Sequence, residues 1–254
     1  MRVMTLNIWN YNEPWPRRRD LIVQAIRAAD ADVVALQEIR SDPRRDERGP
    51  NGELLNQAQQ LAIRLPEYPH LVYQPAMYYR DHVWEGLAIL SRRSIDRSGW
   101  ALLTQDLTDP DDRHQRIVLY ARFDLAHGPF YLFNTHLSLS RTARQRTLAQ
   151  VIEYMTQRSG FRLLVGDLNE LPDGPPLAQL REVGWVDVWT ELHPEEPGYT
   201  FRSDEPWQRI DYVWASPELR PHLQDIVLVG RMPDADGVYP SDHLGLVASL
   251  DLAD

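Results

Sequence analysis

Short apolar runs separated by stretches of helical spacing constrain this chain more than any other feature. Residues 3–6, 33–36, 71–73, 87–90, 117–123, 130–133, 163–165, 210–213, 226–229 and 246–250 are short, apolar and bounded by polar or turn residues. They read as strands. Between Arg17 and Asp30, the residues Leu21, Ile22, Ala25, Ile26 and Ala29 recur at helical spacing. The same holds for Leu54, Leu55, Ala58, Leu61, Ala62 and Leu65, and for Leu148, Val151, Ile152 and Met155, with Pro66 and Gly160 placed to close these two helices. Strands interleaved with fewer helices indicate α/β or α+β layers with substantial sheet. No Ser/Gly-rich linker divides the chain, and residues 40–52, the most polar stretch, read as a solvated loop, so a single domain spanning 1–254 is expected.

A weak internal repeat refines this picture. A strand ending at Asn7 is followed by a helix and a strand ending at Glu38; a strand ending at His136 is followed by a helix and a strand ending at Asp167. The separation is 31 residues in both cases. Two β-helix-β units with polar residues at matching strand ends suggest two similar halves meeting at one site.

Composition narrows the chemistry. The chain has no cysteine, which removes disulfides, thiolate metal sites and a thiol nucleophile. Its net charge of −10 argues against a broad basic nucleic-acid surface, though a cation and a few arginines in a cleft can still hold phosphate. No apolar run approaches the ~20 residues of a membrane span, and the N-terminus lacks a signal-peptide profile, so a cytoplasmic monomer without stable membrane association is expected.

Polar residues recur where apolar strands end, the place an α/β architecture keeps for ligands. They are Asn7 in Thr5-Leu6-Asn7, Glu38 in Leu36-Gln37-Glu38, His136 in Asn134-Thr135-His136, Asp167 and Asn169 in Gly166-Asp167-Leu168-Asn169, Asp211 in Arg209-Ile210-Asp211-Tyr212, and Asp242 and His243 after Ser241. Taken singly, each has an ordinary explanation: a turn asparagine, a solvated glutamate, a core histidine, a cap. Taken together and in this order, they resemble the endonuclease/exonuclease/phosphatase family, over almost the whole chain. Glu85, in Glu85-Gly86-Leu87-Ala88, and Arg116, opening Arg116-Ile117-Val118-Leu119, match two further family positions.

The resemblance implies a deoxyribonuclease I-like four-layer sandwich: two facing mixed β-sheets flanked by helices. It implies a metal-dependent phosphoric ester hydrolase, with a water attacking the phosphate in line. Glu38 would be the principal metal ligand, joined by the Asn7 carbonyl oxygen and Asp242; without cysteine, Mg²⁺ or Mn²⁺ suits such oxygen ligands better than zinc. Asp211 would stand behind His243 and Glu85 behind His136, each fixing a tautomer and favouring the imidazolium. His243 would contact the phosphate or help activate water, His136 and Arg116 would bind phosphate oxygens, Asp167 would orient or deprotonate the water, and Asn169 would donate to the transition-state oxyanion.

The substrate is less legible. A phosphodiesterase or nuclease acting on nucleic acid or a nucleotide-like ester is the leading expectation. A phosphatase or phosphodiesterase for a small or lipid phosphate ester, inositol-phosphate- or sphingomyelinase-like, is the alternative, and a silent metal-binding module the third. Tyr78, Tyr79 and Trp84 could stack on a base or simply fill the core rim, while Trp207 and Arg209 sit just before Asp211.

Overall fold

The computed structural model describes residues 1–252. In chain order its elements are β1 (Arg2–Asn7), α1 (Trp15–Ala29), β2 (Val33–Ser41), β3 (Glu47–Arg48), β4 (Leu54–Leu55), α2 (Gln57–Ala62), β5 (His70–Tyr78), β6 (Trp84–Ser91) and β7 (Arg97–Leu102). Then follow β8 (Ile117–Leu125), β9 (Gly128–His136), α3 (Arg141–Thr156), β10 (Phe161–Asp167), α4 (Pro175–Glu182), β11 (Val186–Asp187), α5 (Val188–Leu192), β12 (Asp211–Ala215), β13 (Leu223–Val229) and β14 (Gly245–Leu250). Every apolar run expected as a strand falls within one, residue 210 apart.

Two six-stranded mixed sheets result, ordered β13-β14-β1-β2-β6-β5 and β11-β12-β10-β9-β8-β7, beside a small β3-β4 ribbon. Alternate residues of a central strand face opposite layers, and both faces are buried, so the runs are uninterruptedly apolar. Val3, Val33 and Ile89 of the first sheet meet Leu119, Leu132, Leu163 and Val213 of the second in a core between the sheets. Met4, Val34 and Leu90 point the other way, onto Ile22 and Ile26 of α1 and Leu61 of α2. Phe133 and Leu164 likewise pack outward on Leu148, Val151 and Met155 of α3. The layers are helix, sheet, sheet, helix.

The repeat is real in topology. β1 and β2 are parallel and joined through α1; β9 and β10 are parallel and joined through α3. The register differs by one residue, however. His136 pairs with Asp167, whereas Asn7 pairs with Gln37, not Glu38. A bulge after Leu36 in β2, with Glu38 at φ +57°, accounts for the extra residue. Positive φ is uncommon for a glutamate and re-aims its side chain.

Directly beneath these strand ends a buried polar set joins the sheets. Asn134 of β9 donates to the carbonyls of Leu36 (3.0 Å) and Ala88 (3.1 Å) and accepts from Gln37 Nε2 (2.8 Å), which also reaches Thr5 Oγ1 at 3.0 Å. Such bonds fix the sheets' relative position, which the oily core alone would not.

Three expectations are corrected. The helix expected from Leu54 is only α2; Leu54 and Leu55 form β4, because Asn56 caps the helix with a reciprocal bond to Gln59. Pro66 and Gly160 lie four residues beyond the helix ends rather than at them. Residues 40–52 are not wholly loop, since β2 runs through Ser41 and Glu47–Arg48 pairs with β4.

Gly166 is constrained by its neighbours. It sits at φ +134° between Val165 and Asp167, and a Cβ there would stand 1.9 Å from the Thr135 carbonyl oxygen. Gly166→Ala is expected to cost about 2–4 kcal/mol of stability, from adverse φ and forced strand separation. Urea denaturation of the purified variant measures it.

Candidate active site

The strand ends converge on a cleft of about 460 Å³ lined by Glu38, Glu85, Arg116, His136, Asp167, Asn169, Asp242 and His243. The first sheet brings Asn7 (β1), Glu38 (β2) and Glu85 (β6); the second brings His136 (β9), Asp167 (β10) and Asp211 (β12). Asp242 and His243 precede β14. Ser241 Oγ donates to the Asn7 carbonyl at 2.6 Å and ties this segment to the end of β1. Across the gap, His243 bridges to Phe201, whose ring lies 4.9 Å from the imidazole.

His243 is the electrostatic centre. Its Nδ1 lies 2.8 Å from Asp211 Oδ2, and its Nε2 faces Asp167 Oδ2 at 3.8 Å and Asp242 Oδ1 at 4.0 Å. Burial alone would depress its pKa, but Asp211, Asp167 and Asp242 outweigh it and hold His243 up at about 10. Nδ1 is therefore the donor to Asp211, and His243 is an imidazolium at neutral pH. Asp167 is pushed up to about 7 by burial and by the Asp211 carboxylate, against His243 and Asn7. Burial, with Glu38 nearby, lifts Asp242 to about 6 against the pull of His243.

Asn7 connects the halves. Its amide nitrogen donates to Glu38 Oε1 and to Asp167 Oδ2, both at 3.1 Å, while its amide oxygen accepts from the backbone N–H of Trp9 at 3.0 Å. Its backbone carbonyl is the one held by Ser241. Asn7 therefore presents a donor to two carboxylates, while its backbone carbonyl, the oxygen expected to bind metal, accepts from Ser241. Asn10 Nδ2 holds the other oxygen of Glu38 at 2.8 Å. Asn169, at φ +51°, gives its backbone N–H to Asp167 Oδ1 (2.9 Å) and its amide to the Leu137 carbonyl (2.9 Å).

The expected pairing of Glu85 with His136 is not found. Glu85 bonds Arg40, with Nε at 3.1 Å, and burial raises its pKa. The nearest carboxylate to His136 is Asp167, with Nε2 to Oδ2 at 3.5 Å. Burial and the nearby cations Arg116 and His243 hold His136 well below the usual histidine range, so it is neutral rather than an imidazolium. Arg116 is 7 % exposed; among the described residues its guanidinium makes no hydrogen bond or ion pair, and Nε is buried without a partner. An arginine buried in a cleft with its fork free fits an incoming anion. Arg113 is exposed, and Arg122 lies at the far end of β8, paired with Asp96 and Asp124.

The donor chemistry fits a hard divalent cation: Glu38, Asp242 and Asp167 offer oxygens, and Asp167 and Asp242 are raised by burial and further by a neighbouring carboxylate, Asp211 and Glu38 respectively, whose charge a cation would offset. Among the described residues, the group of acidic and histidine side chains closest to a metal-binding arrangement is Asp167, Asp211 and His243, with ligand atoms within 4.8 Å. There the 2.8 Å His243–Asp211 bond already satisfies Nδ1 and favours a proton-holding role.

Sequence reading missed Asn10, Arg40, His114 and Phe201, all lining the cleft. Arg40 lies over the Tyr79 ring at 4.9 Å and Tyr79 faces His114 at 5.7 Å, a wall assembled from separate strands and loops. Tyr78 and Trp84 pair with each other, half-exposed, at 4.8 Å. Arg209 belongs to the scaffold: buried, it grips Asp187 at 2.7 and 2.8 Å and Thr190 at 3.0 Å. Arg209→Ala would leave the partly buried Asp187 carboxylate with only the Trp189 N–H and Thr190 Oγ1 as donors, and is expected to lose about 2–3 kcal/mol of stability, read as a lower thermal midpoint.

The chain matches an endonuclease/exonuclease/phosphatase structure from Beutenbergia cavernae with a TM-score of 0.73 at 23 % identity, covering all of this chain and 72 % of that one. D. rerio TDP2 complexed with single-strand DNA product matches at TM-score 0.74 and 19 % identity, over 98 % and 97 % of the two chains. The Bacteroides thetaiotaomicron mannosyl-6-phosphatase matches at 0.72 and 19 %, over 98 % and 99 %. At these identities the likeness is one of fold. No curated protein matches the sequence significantly. A model of the Endonuclease/Exonuclease/phosphatase family matches residues 4–243, and the chain belongs to that family.

Proposed function

We propose that this protein is a divalent-metal-dependent phosphoesterase, with a phosphodiester of nucleic-acid or nucleotide type as its substrate. The observation that carries this reading is the meeting, in one cleft, of the Asp211–His243 pair, Asp167, Glu38 and the unpaired Arg116. A Mg²⁺ or Mn²⁺ ion, held by Glu38 with Asp242 beside it, would supply charge neutralisation at the phosphate oxygens.

The chain's own residues account for the remainder. Arg116 and the His243 imidazolium, both lining the cleft, offset the phosphate's charge. Asp167, clamped by Asn7 and by the Asn169 N–H, accepts the proton of the attacking water at Oδ2. Asp211 keeps the His243 proton at Nδ1 and turns Nε2–H toward the reacting phosphate. The neutral His136 beside Arg116 donates a hydrogen bond to a non-bridging oxygen. Trp9, Tyr79 and Phe201 at the cleft wall suit a substrate that carries a ring. TDP2, of similar fold, is described with single-strand DNA product.

A small phosphate monoester is the second reading, favoured by the limited cleft volume and by a mannosyl-6-phosphatase of similar fold. Turnover of bis(p-nitrophenyl) phosphate against p-nitrophenyl phosphate separates them. The diester is expected to be preferred, with single-strand oligonucleotide cleavage that weakens steeply with salt. Preference for the monoester, with no oligonucleotide cleavage, would overturn the diester reading.

A further inference from the structure

The segment after β1 carries an unusual anchor. Arg18, on the first turn of α1, is 1 % exposed, and among the described residues no carboxylate forms an ion pair with its guanidinium. Its Nη1 donates to the carbonyls of Trp9 (3.2 Å), Asn10 (3.4 Å) and Asn12 (3.2 Å), and Nη2 to Ile8. The guanidinium also lies over the Trp9 ring at 4.9 Å. Trp9 and Asn10 both adopt positive φ, +58° and +35°, a conformation that a free loop of such residues rarely holds. Asn10, fixed in this way, places its amide 2.8 Å from Glu38 Oε2, while Asn7 holds Oε1. Glu38 itself sits at a bulge with positive φ and needs outside support for its orientation.

We propose that Arg18 is a positioning residue for divalent-cation binding: by gathering the carbonyls of Ile8, Trp9, Asn10 and Asn12 it sets Asn10 against Glu38 and fixes how that carboxylate faces the cation. This rests on the reading of Glu38 as a cation ligand. A planar fork with five donors can serve four diverging carbonyls; an ammonium with three donors on a flexible stem cannot. Arg18 therefore acts through geometry as well as charge, and Arg18→Lys separates the two.

The test is magnesium binding to the full chain by calorimetry, with thermal melts in EDTA alongside. Four variants are compared with the wild type: Arg18→Lys, Asn10→Ala, Glu38→Ala and Ile26→Val, the last a buried change on the same helix. Arg18→Lys and Asn10→Ala are expected to weaken magnesium binding about tenfold or more. Ile26→Val is expected to lower the melting midpoint without moving the magnesium constant, and Glu38→Ala to remove binding. Wild-type affinity in Arg18→Lys overturns the inference, as does equal weakening by Ile26→Val. If Arg18→Lys does not fold, Asn10→Ala decides: wild-type affinity there overturns the inference. Wild-type affinity in Glu38→Ala removes its premise and the metal reading with it, a failure distinct from the Arg18 one.

Discussion

His243→Ala will lower kcat by about 10²–10⁴-fold. The imidazolium is bracketed by Asp211 at 2.8 Å and Asp167 at 3.8 Å, and its positive charge is placed to meet the negative charge building on the reacting phosphate. Asp211→Asn should fall nearly as far, because an amide at that position no longer favours the imidazolium or fixes the proton on Nδ1. The two act as one unit, so the double variant should be scarcely slower than His243→Ala alone. Additive losses would mean that Asp211 works independently of His243. Among the described residues Asp211 Oδ1 is already without a partner, so thermal melts of each variant separate lost catalysis from lost stability.

The second large effect concerns Glu38. Glu38→Gln keeps the shape but removes the charge, and it breaks the hydrogen-bond pattern as well. Glu38 now accepts from Asn7 on one oxygen and from Asn10 on the other. A glutamine would set its own NH₂ against one of those donors. Activity should drop by about 10²–10⁴-fold, roughly 3–5 kcal/mol of transition-state stabilisation. The loss should resist added magnesium, and chelating the wild type should reproduce it. A Glu38→Gln enzyme restored by moderate magnesium would place the principal ligand elsewhere.

Much of this architecture can be read from the sequence because burial on both faces leaves a plain signature. Residues 33–36 and 163–165 are apolar without alternation since each is sandwiched between a helix layer and the other sheet. Strand β7 escapes such a reading: it is an edge strand, largely exposed, and Arg97, Ser98 and Gly99 carry no apolar pattern. Helices α4 and α5 are too short to show a period, and α4 opens on two prolines. Within the site, residues at strand ends are legible because polar groups closing apolar runs stand out. Asn10, His114 and Phe201 come from loops, where a polar or aromatic residue is ordinary. The partner of Glu85 could not be read either. Arg40 lies across the β2–β6 ladder from Glu85, and only the bulge after Leu36 fixes that register.

The same bulge explains why the two halves are similar without being equivalent. The second unit keeps His136 and Asp167 in direct register, close enough to share one phosphate. In the first unit an inserted residue turns Glu38 out of the ladder and into the cleft. In the proposed reading one half handles protons and the other holds the cation; Asn7 links Glu38 and Asp167 at 3.1 Å each.

The most direct test of this account is the initial rate of bis(p-nitrophenyl) phosphate hydrolysis by the wild-type protein, first in EDTA and then after magnesium or manganese is restored. The account predicts negligible turnover in EDTA, recovery with either metal, and no recovery in Glu38→Ala. Metal-independent turnover, or equal recovery in Glu38→Ala, would contradict it.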